Sequence, residues 1–243
     1  VQSGIEIPLS AVLHEYGRVI RPANLIAFLA NGSSIITNFA SCSYVLHEHG
    51  VTVTAGDGRQ ENFEAIVLAN GADIPNLLMA CDRQGVVLDI TVGQVSQLPA
   101  TAHSKKLRTG LSFGGYMTPA IDGLHELGAT FDRKAEMEVT SIGNSHNFDL
   151  LPPELRTLFS EIKTENLRGR TSRRVSTPDR NPISGRLAER VYVLSALGAR
   201  GFTSAPFLGD QLAASMLGHA VSLDMQTRHL LDPYRFRDRA SRL

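Results

Sequence analysis

A glycine-rich stretch near the carboxyl end of the chain contains residue types that can bind a ligand through the backbone. VYVLSALGARGFTSAP (191–206) reads as a strand, a turn and the start of a helix, which leaves N–H groups without partners at the helix N-terminus. Thr203 and Ser204 suit helix caps, Pro206 suits the first helical turn, and Arg200 adds positive charge. We expect this stretch to face an electron-rich group, although an ordinary strand-to-helix joint shows the same pattern.

Two further groups of residues suit the binding of a carboxylate. A basic segment at 168–180, predicted to be a loop, carries four arginines: Arg168, Arg170, Arg173 and Arg174. An arginine on a rigid turn can hold a carboxylate through two parallel hydrogen bonds, which lysine cannot do. Tyr116 lies in a predicted strand. The alternatives are a solvated basic loop and a tyrosine with a packing role.

Composition narrows the possible functions. The 243 residues include 24 basic and 24 acidic ones, so the overall field neither attracts nor repels a polyanion. The eight histidines lack metal-ligand spacing, and phosphate loops, nucleophile elbows and G-x-G-x-x-G turns are absent. No apolar run is long enough for a membrane span, and no signal peptide is evident. Cys42 and Cys81 lack the spacing of a metal site, so we interpret both as core thiols and expect no metal site. Free thiols are typical of a reducing compartment, so we expect a cytoplasmic protein.

Hydrophobic periodicity predicts the elements that position these residues. The pattern indicates helices over 18–32 and 153–163, a third helix through Leu208, strand-rich segments over 86–98 and 111–132, and an apolar strand over 65–73. Pro22 suits the first helical position, Val51 and Val53 alternate with threonines as in a strand, and 121–123 reads as a turn between two antiparallel strands. A nearly all-apolar strand is typical of a sheet buried on both faces, whereas alternating strands indicate antiparallel pairing. We therefore predict an α/β fold whose domains are interleaved along the chain.

Several motifs, taken in order, resemble one known superfamily. They are GRVIRPANL, AIVLANGAD, VGQVSQLP, GGYMTPAIDGLHELGATF, RRVSTPDRNPISG and VYVLSALGARGFTSAP. This series is similar to the glycine oxidase and D-amino-acid oxidase superfamily and covers nearly the whole chain. Within the superfamily, the closing LDPYRF and the LGARGFTSAP motif most resemble the C-terminal oxidoreductase domains of bifunctional tRNA 5-methylaminomethyl-2-thiouridine biosynthesis proteins.

The resemblance implies a fold and a domain division. It implies an α/β, Rossmann-like FAD-binding domain of the D-amino-acid-oxidase type, with an inserted antiparallel β-rich substrate domain. The FAD-binding domain would comprise 1–88 and 171–243, and the substrate domain 89–170. The superfamily's G-x-G-x-x-G turn, which binds the FAD pyrophosphate, is absent from this sequence. We therefore expect the FAD-binding domain to be incomplete and the isolated chain to bind FAD weakly or not at all.

The resemblance also implies site residues. Arg174 matches the carboxylate-binding arginine, with neighbouring Arg173 as an alternative, and Tyr116 matches the substrate tyrosine. The residues implied to contact FAD lie in two groups: Ala69, Asn70 and Gly71; and Gly198, Ala199, Arg200, Gly201, Phe202 and Thr203.

The activity implied is FAD-dependent oxidation of the carboxymethylaminomethyl group on a tRNA wobble uridine, which leaves the aminomethyl form. The implied partners are tRNA, an upstream FAD-binding segment and a methyltransferase domain of the same polypeptide. Alternatives are a glycine or D-amino-acid oxidase that acts on a free amino acid, and a non-catalytic chain that binds no flavin. Clustered arginines are candidate tRNA phosphate contacts, and besides Arg168 and Arg170 they comprise Arg235, Arg237, Arg239 and Arg242. The alternative is that the C-terminal arginines, interrupted by Asp238, form a solvated tail.

Overall fold

The computed structural model describes residues 3–37, 39, 42–78, 86–133 and 136–237. The strands are β1 (Ser43–His47), β2 (Gly50–Thr54), β3 (Gln60–Phe63), β4 (Ile66–Leu68), β5 (Asp89–Pro99), β6 (Leu111–Ser112), β7 (Tyr116–Met117), β8 (Leu124–Gly128), β9 (Arg168–Ser176), β10 (Ile183–Ala188) and β11 (Val191–Ser195). The helices are α1 (Pro22–Leu29), α2 (Ile74–Leu77), α3 (Ser141–Asp149), α4 (Pro153–Arg156), α5 (Gly201–Met216) and α6 (Met225–Leu231).

Two compact units divide the chain, and each combines two separate stretches. Unit 1 comprises Val1–Asn31 and Thr91–Arg173, and unit 2 comprises Gly32–Ile90 and Arg174–Leu243. The sequence-based division instead groups the first 31 residues with the FAD-binding part. In the structure these residues belong to unit 1, and Ile5 is buried in the core of that unit.

Unit 1 contains a five-stranded sheet with the strand order β6-β7-β8-β5-β9. Strands β6, β7, β8 and β5 pair antiparallel in succession. The turn predicted at 121–123 is present, and Asp122 and Gly123 have φ angles of 53° and 80°, as the tight turn of a hairpin requires. Leu98, Met117 and Leu127 lie on one face of the sheet and are fully buried in the core.

Helix α3 packs on this sheet through buried amides rather than through apolar side chains. The Gln94 side chain donates to Asn144 Oδ1 at 2.8 Å and accepts from the Thr140 N–H at 2.9 Å. Asn147 Nδ2 donates to the Gln94 carbonyl at 3.0 Å. A Cβ on Gly143 would overlap the Gln94 side chain, so this close approach requires glycine.

Unit 2 contains two three-stranded sheets. Strands β1, β2 and β3 form an antiparallel meander. In the second sheet, β11 lies between β10, its antiparallel neighbour, and β4, its parallel neighbour. The alternating pattern at Val51 and Val53 is confirmed, and both pack in a core with Leu68, Val191 and Val193.

Three predicted elements differ from the observed ones. The apolar strand over 65–73 shortens to β4, because Gly71 adopts a φ angle of +61° and starts a 3₁₀ turn. The helix over 153–163 divides into α4 and the 3₁₀ turn Thr157–Phe159. The basic segment predicted to be a loop is mostly strand β9. Its arginines are tolerated there because β9 ends the sheet order, and charged side chains are common on such edge strands.

No helix in the described ranges is long and apolar enough to cross a lipid bilayer. Within the same ranges, histidine, cysteine and acidic side chains form no group of three or more suited to hold a metal ion. Cys42 is a free, partly buried thiol that packs against the unit 2 core, whereas Cys81 lies outside the described residues.

Candidate functional site

The parallel strands β4 and β11 bring two distant segments to one sheet edge in unit 2. Leu68 pairs with Val193 in parallel register, so the two strands end at the same edge. Residues 69–71 follow β4, and residues 196–203 follow β11. Ligands of open α/β sheets bind outside the carboxyl ends of the strands. Both segments that the sequence marks for cofactor binding therefore lie at one edge.

The segment after β4 exposes its backbone. Ala69 and Asn70 are exposed, and Gly71 begins the 3₁₀ turn Gly71–Asp73. A Cβ on Gly71 would meet no other atom within 4 Å, so a ligand has room to approach this turn closely.

The turn after β11 has an unusual backbone. Ala196 has a φ angle of 56° and Gly198 one of 58°. The left-handed region is unfavourable for alanine, and such positions often mark functional sites. Ala196 is held there by burial in the core, whereas the space around the Gly198 Cα is open. The packed alanine thus fixes a turn whose next glycine is accessible.

Helix α5 begins earlier than the sequence suggests. Its first residue is Gly201, after the 3₁₀ turn Gly198–Arg200. The expectation that Thr203 and Ser204 cap the helix is wrong, because both lie inside it and the Ser204 hydroxyl donates to the Arg200 carbonyl at 3.0 Å. Pro206 lies beyond the first turn, within the helix. A serine is tolerated inside a helix when its hydroxyl bonds a carbonyl of the preceding turn, as the Ser204 hydroxyl does here.

The start of α5 can face an electron-rich group. The helix has 16 residues, and no side chain caps its N-terminus, so its first N–H groups and its positive dipole end are available to a ligand. Ala199, Arg200, Phe202 and Thr203 are exposed around this end. The buried Ser195 hydroxyl, at the end of β11, has no hydrogen-bond partner among the described residues. The N–H groups at the start of α5 suit a bound group that carries hydrogen-bond acceptors.

Arg174 lies near the C-terminal end of strand β9 in unit 2. It is partly buried with its Nη1 atom enclosed, whereas neighbouring Arg173 is exposed. A guanidinium held partly within the protein is pre-organised to receive a planar carboxylate. Of the two neighbouring arginines, Arg174 is therefore the more buried.

A buried ion pair fixes the turn that follows Arg174. Arg235 Nε and Nη2 donate to the two Asp179 carboxylate oxygens at 2.8 and 2.9 Å. Arg235 also donates to the Thr177 hydroxyl and the Asn181 carbonyl. The Arg235 guanidinium holds the pKa of the Asp179 carboxyl well below its usual range. The C-terminal segment is thereby attached to the turn that supports Arg174.

The expectation that Arg235 contacts tRNA phosphates is wrong, because Arg235 is buried in this ion pair. Only 5% of the Arg235 side chain is exposed, so its guanidinium is not available to a backbone phosphate. Arg237 is exposed and stacks on the Tyr234 ring at 3.6 Å, and Arg239 and Arg242 lie outside the described residues. Arg168 and Arg170 are exposed on β9.

Tyr116 belongs to unit 1, on β7. It pairs with Gly128 across β8, and its side chain is 37% exposed. A Cβ on Gly128 would lie 3.5 Å from the Tyr116 hydroxyl, so the phenol lies across the sheet above this glycine.

The sequence model of the FAD dependent oxidoreductase family matches residues 4–215 of this chain. The chain belongs to this family. FAD is the family's cofactor, and its members are oxidoreductases that depend on it.

Curated relatives extend the match. The tRNA 5-methylaminomethyl-2-thiouridine biosynthesis bifunctional protein of Idiomarina loihiensis is 28% identical over 97% of this chain. The protein of the same name from Pseudomonas paraeruginosa is 30% identical over 96% of the chain. The chain spans 39% and 40% of the length of these two relatives.

Solved structures confirm the predicted D-amino-acid-oxidase-type fold. Iminodiacetate oxidase from Chelativorans sp. BNC1 has a TM-score of 0.60 at 19% identity, over 76% of this chain and 51% of that one. Glycine oxidase from Geobacillus kaustophilus has a TM-score of 0.60 at 21% identity, over 76% and 50%. L-proline dehydrogenase from P. horikoshii has a TM-score of 0.60 at 20% identity, over 81% and 53%.

Proposed function

We propose that this chain takes part in FAD-dependent oxidation of the carboxymethylaminomethyl group on a tRNA wobble uridine. When bound, FAD would supply the acceptor for a hydride from the methylene group that joins the amine to the carboxylate. The amine loses a proton, water hydrolyses the resulting imine, and the products are the aminomethyl uridine and glyoxylate. The tRNA substrate is suggested by the names of relatives that match nearly the whole chain.

The convergence of 69–71 and 198–203 at one sheet edge carries the cofactor part of this proposal. In our assignment, the exposed turn at Gly71 and the start of α5 hold FAD. The dipole and N–H groups of α5 would stabilise negative charge that develops on an electron-rich ring edge. Arg200 adds a positive charge beside the N-terminus of α5.

Arg174 and Tyr116 are assigned to the substrate. Arg174 would hold the carboxylate through two parallel hydrogen bonds, which fixes the direction of the adjacent C–H bond. Tyr116, in unit 1, would donate a hydrogen bond from its phenol to a substrate carboxylate.

We also propose that further polypeptide, in the form of another FAD-binding segment and a methyltransferase domain, accompanies this chain. Helix α1 contains no buried residue, and Ile26, Phe28 and Leu29 are more than half exposed. Val12 and Tyr16, just before the helix, are more than four-fifths exposed. Apolar patches of this kind mark surfaces that other polypeptide covers.

The test of the substrate is a nucleoside assay. FAD-saturated protein is incubated with tRNA that carries carboxymethylaminomethyl uridine, and the digested nucleosides are analysed by mass spectrometry. We expect aminomethyl uridine and glyoxylate in equal amounts, with no oxidation of free glycine. Oxidation of free amino acids with unchanged tRNA would identify the alternative, a small-molecule oxidase.

The test of Arg174 is its replacement by lysine. Lysine keeps the charge but loses the two-point contact, so Arg174→Lys should lower kcat/KM by about a hundredfold. Arg173→Lys on the same strand is the matched control and should have little effect. The reverse result would move the carboxylate contact to Arg173.

A further inference from the structure

In the five-stranded sheet of unit 1, the face opposite Leu127 carries a carboxylate with an unusual environment. Side chains that pair across antiparallel strands share a face. Tyr116 pairs with Gly128, and Gln97 pairs with Glu126. Gly128 and Glu126 are two residues apart on β8, so they also share a face. Tyr116, Gln97 and Glu126 therefore lie on the face opposite the buried Leu127.

The Glu126 carboxylate on this face is only half satisfied. Oε1 accepts a hydrogen bond from Gln97 Nε2 at 3.1 Å. Oε2 is buried and has no hydrogen-bond partner among the described residues. Arg170 Nε, at 4.0 Å from Oε2, is too distant for a hydrogen bond. A buried acceptor without a donor is unfavourable and rare in native proteins, so it calls for an explanation.

A ligand of defined chemistry would supply the missing bond. An ionised carboxylate has acceptor atoms only, so the absent group must be an N–H or O–H donor. A cationic donor would suit it best, because hydrogen bonds between ionised groups are the stronger ones. Tyr116 pairs with Gly128, and Gly128 and Glu126, as same-face neighbours on β8, lie about 7 Å apart. Tyr116 is therefore diagonally across from Glu126, within reach of the same small molecule.

We propose that Glu126 Oε2 accepts a hydrogen bond from the amino nitrogen of the substrate. This inference rests on the proposed function, in which Tyr116 binds the substrate carboxylate. In an N-alkylglycine, one methylene separates the carboxylate from the nitrogen. Tyr116 can therefore contact the carboxylate while Glu126 contacts the nitrogen. Glu126 then determines specificity, because it selects a nitrogen that carries hydrogen over an oxygen or sulfur at the same position.

The experiment compares two ligands of nearly equal shape. N-methylglycine has an N–H group where methoxyacetate has an ether oxygen, whose lone pairs would face Glu126 Oε2. Equilibrium binding of each ligand is measured by calorimetry on FAD-saturated protein. The variants are Glu126→Leu, which removes the acceptor, and Glu126→Gln, which keeps an acceptor oxygen and the side-chain size. Glu138→Gln, at an exposed position in unit 1, is the control.

We expect wild-type protein and the control to prefer N-methylglycine. Glu126→Leu should weaken N-methylglycine binding by about tenfold or more and change methoxyacetate binding less than about twofold. The affinity of Glu126→Gln for N-methylglycine should lie between those of the wild-type protein and Glu126→Leu. This variant tests the inference even if Glu126→Leu does not fold.

Equal losses of affinity for N-methylglycine and methoxyacetate in both Glu126 variants, or no loss of affinity for either ligand, would overturn the inference. Glu126 would then be a structural carboxylate. The proposed tRNA function would be unaffected by that outcome. Conversely, a Glu126-dependent preference together with unchanged tRNA in the nucleoside assay would support the inference for a small-molecule oxidase. If wild-type protein binds neither ligand, the inference and the assigned role of Tyr116 both fail.

Discussion

Replacement of Arg235 by alanine should destabilise unit 2 far more than a surface arginine does. The guanidinium donates five hydrogen bonds, to the side chains of Asp179 and Thr177 and to the carbonyls of Asn181 and Asp232. Loss of one member of a buried ion pair costs about 3–5 kcal/mol. Because 27% of the Asp179 side chain is exposed, its charge retains some hydration, and we expect about 3 kcal/mol, the low end of that range.

The assay is urea unfolding followed by far-ultraviolet circular dichroism, since the chain contains no tryptophan. Amide hydrogen exchange in β10 and β11 reports unit 2 separately from unit 1. The control is Arg237→Ala, whose exposed stacking on Tyr234 should contribute less than about 1 kcal/mol. Equal losses in the two variants would refute the reasoning that burial makes the Asp179 pair strong.

The same pair predicts a pH dependence with a definite sign. The folded-state pKa of Asp179 is lowered from its ordinary value of 3.8. Its contribution to stability is therefore present above that value and is lost as the pH falls through the lowered folded-state pKa. Arg235→Ala should flatten the acid limb of a plot of stability against pH, and an unchanged limb would contradict the assignment.

The remaining predictions concern three further positions. Burial lowers the pKa of His125, so wild-type stability should decline as the pH falls below 6.5, and His125→Gln should remove that decline in urea titrations at several pH values. Gly143→Ala should cost about 1–3 kcal/mol, because the added methyl overlaps Gln94; unchanged stability would mean that α3 can move away. Gly198→Ala should cost about 1–2 kcal/mol from its φ angle of +58°, seen as a lower Tm.

Patterns of local origin were readable from the sequence. The turn at Asp122 and Gly123, the alternating strand around Val53 and the start of α1 at Pro22 follow from residue type and spacing. Motif resemblance correctly identified the family and the fold. These features depend on short-range geometry or on many residues at once, which is why one sequence suffices.

Features that depend on tertiary packing were not readable. Ala196 has a left-handed backbone because it is buried, and alanine gives no sign of such a turn. Arg235 looks like part of a basic tail, yet it pairs with Asp179 across 56 residues. The unsatisfied oxygen of Glu126 depends on which strands are neighbours. Each of these needs long-range contacts that spacing along the chain does not specify.

The central claim is that the sheet edge formed by 69–71 and 198–203 binds FAD. Its most direct test is a titration of isotope-labelled protein with FAD, observed through amide nuclear magnetic resonance signals, which also detect weak binding. We predict saturable shifts of the amides of Gly71, Gly198 and the first turn of α5, with much smaller shifts at β1 and β2. Shifts that are absent at saturating FAD, or that are concentrated away from this edge, would contradict the account.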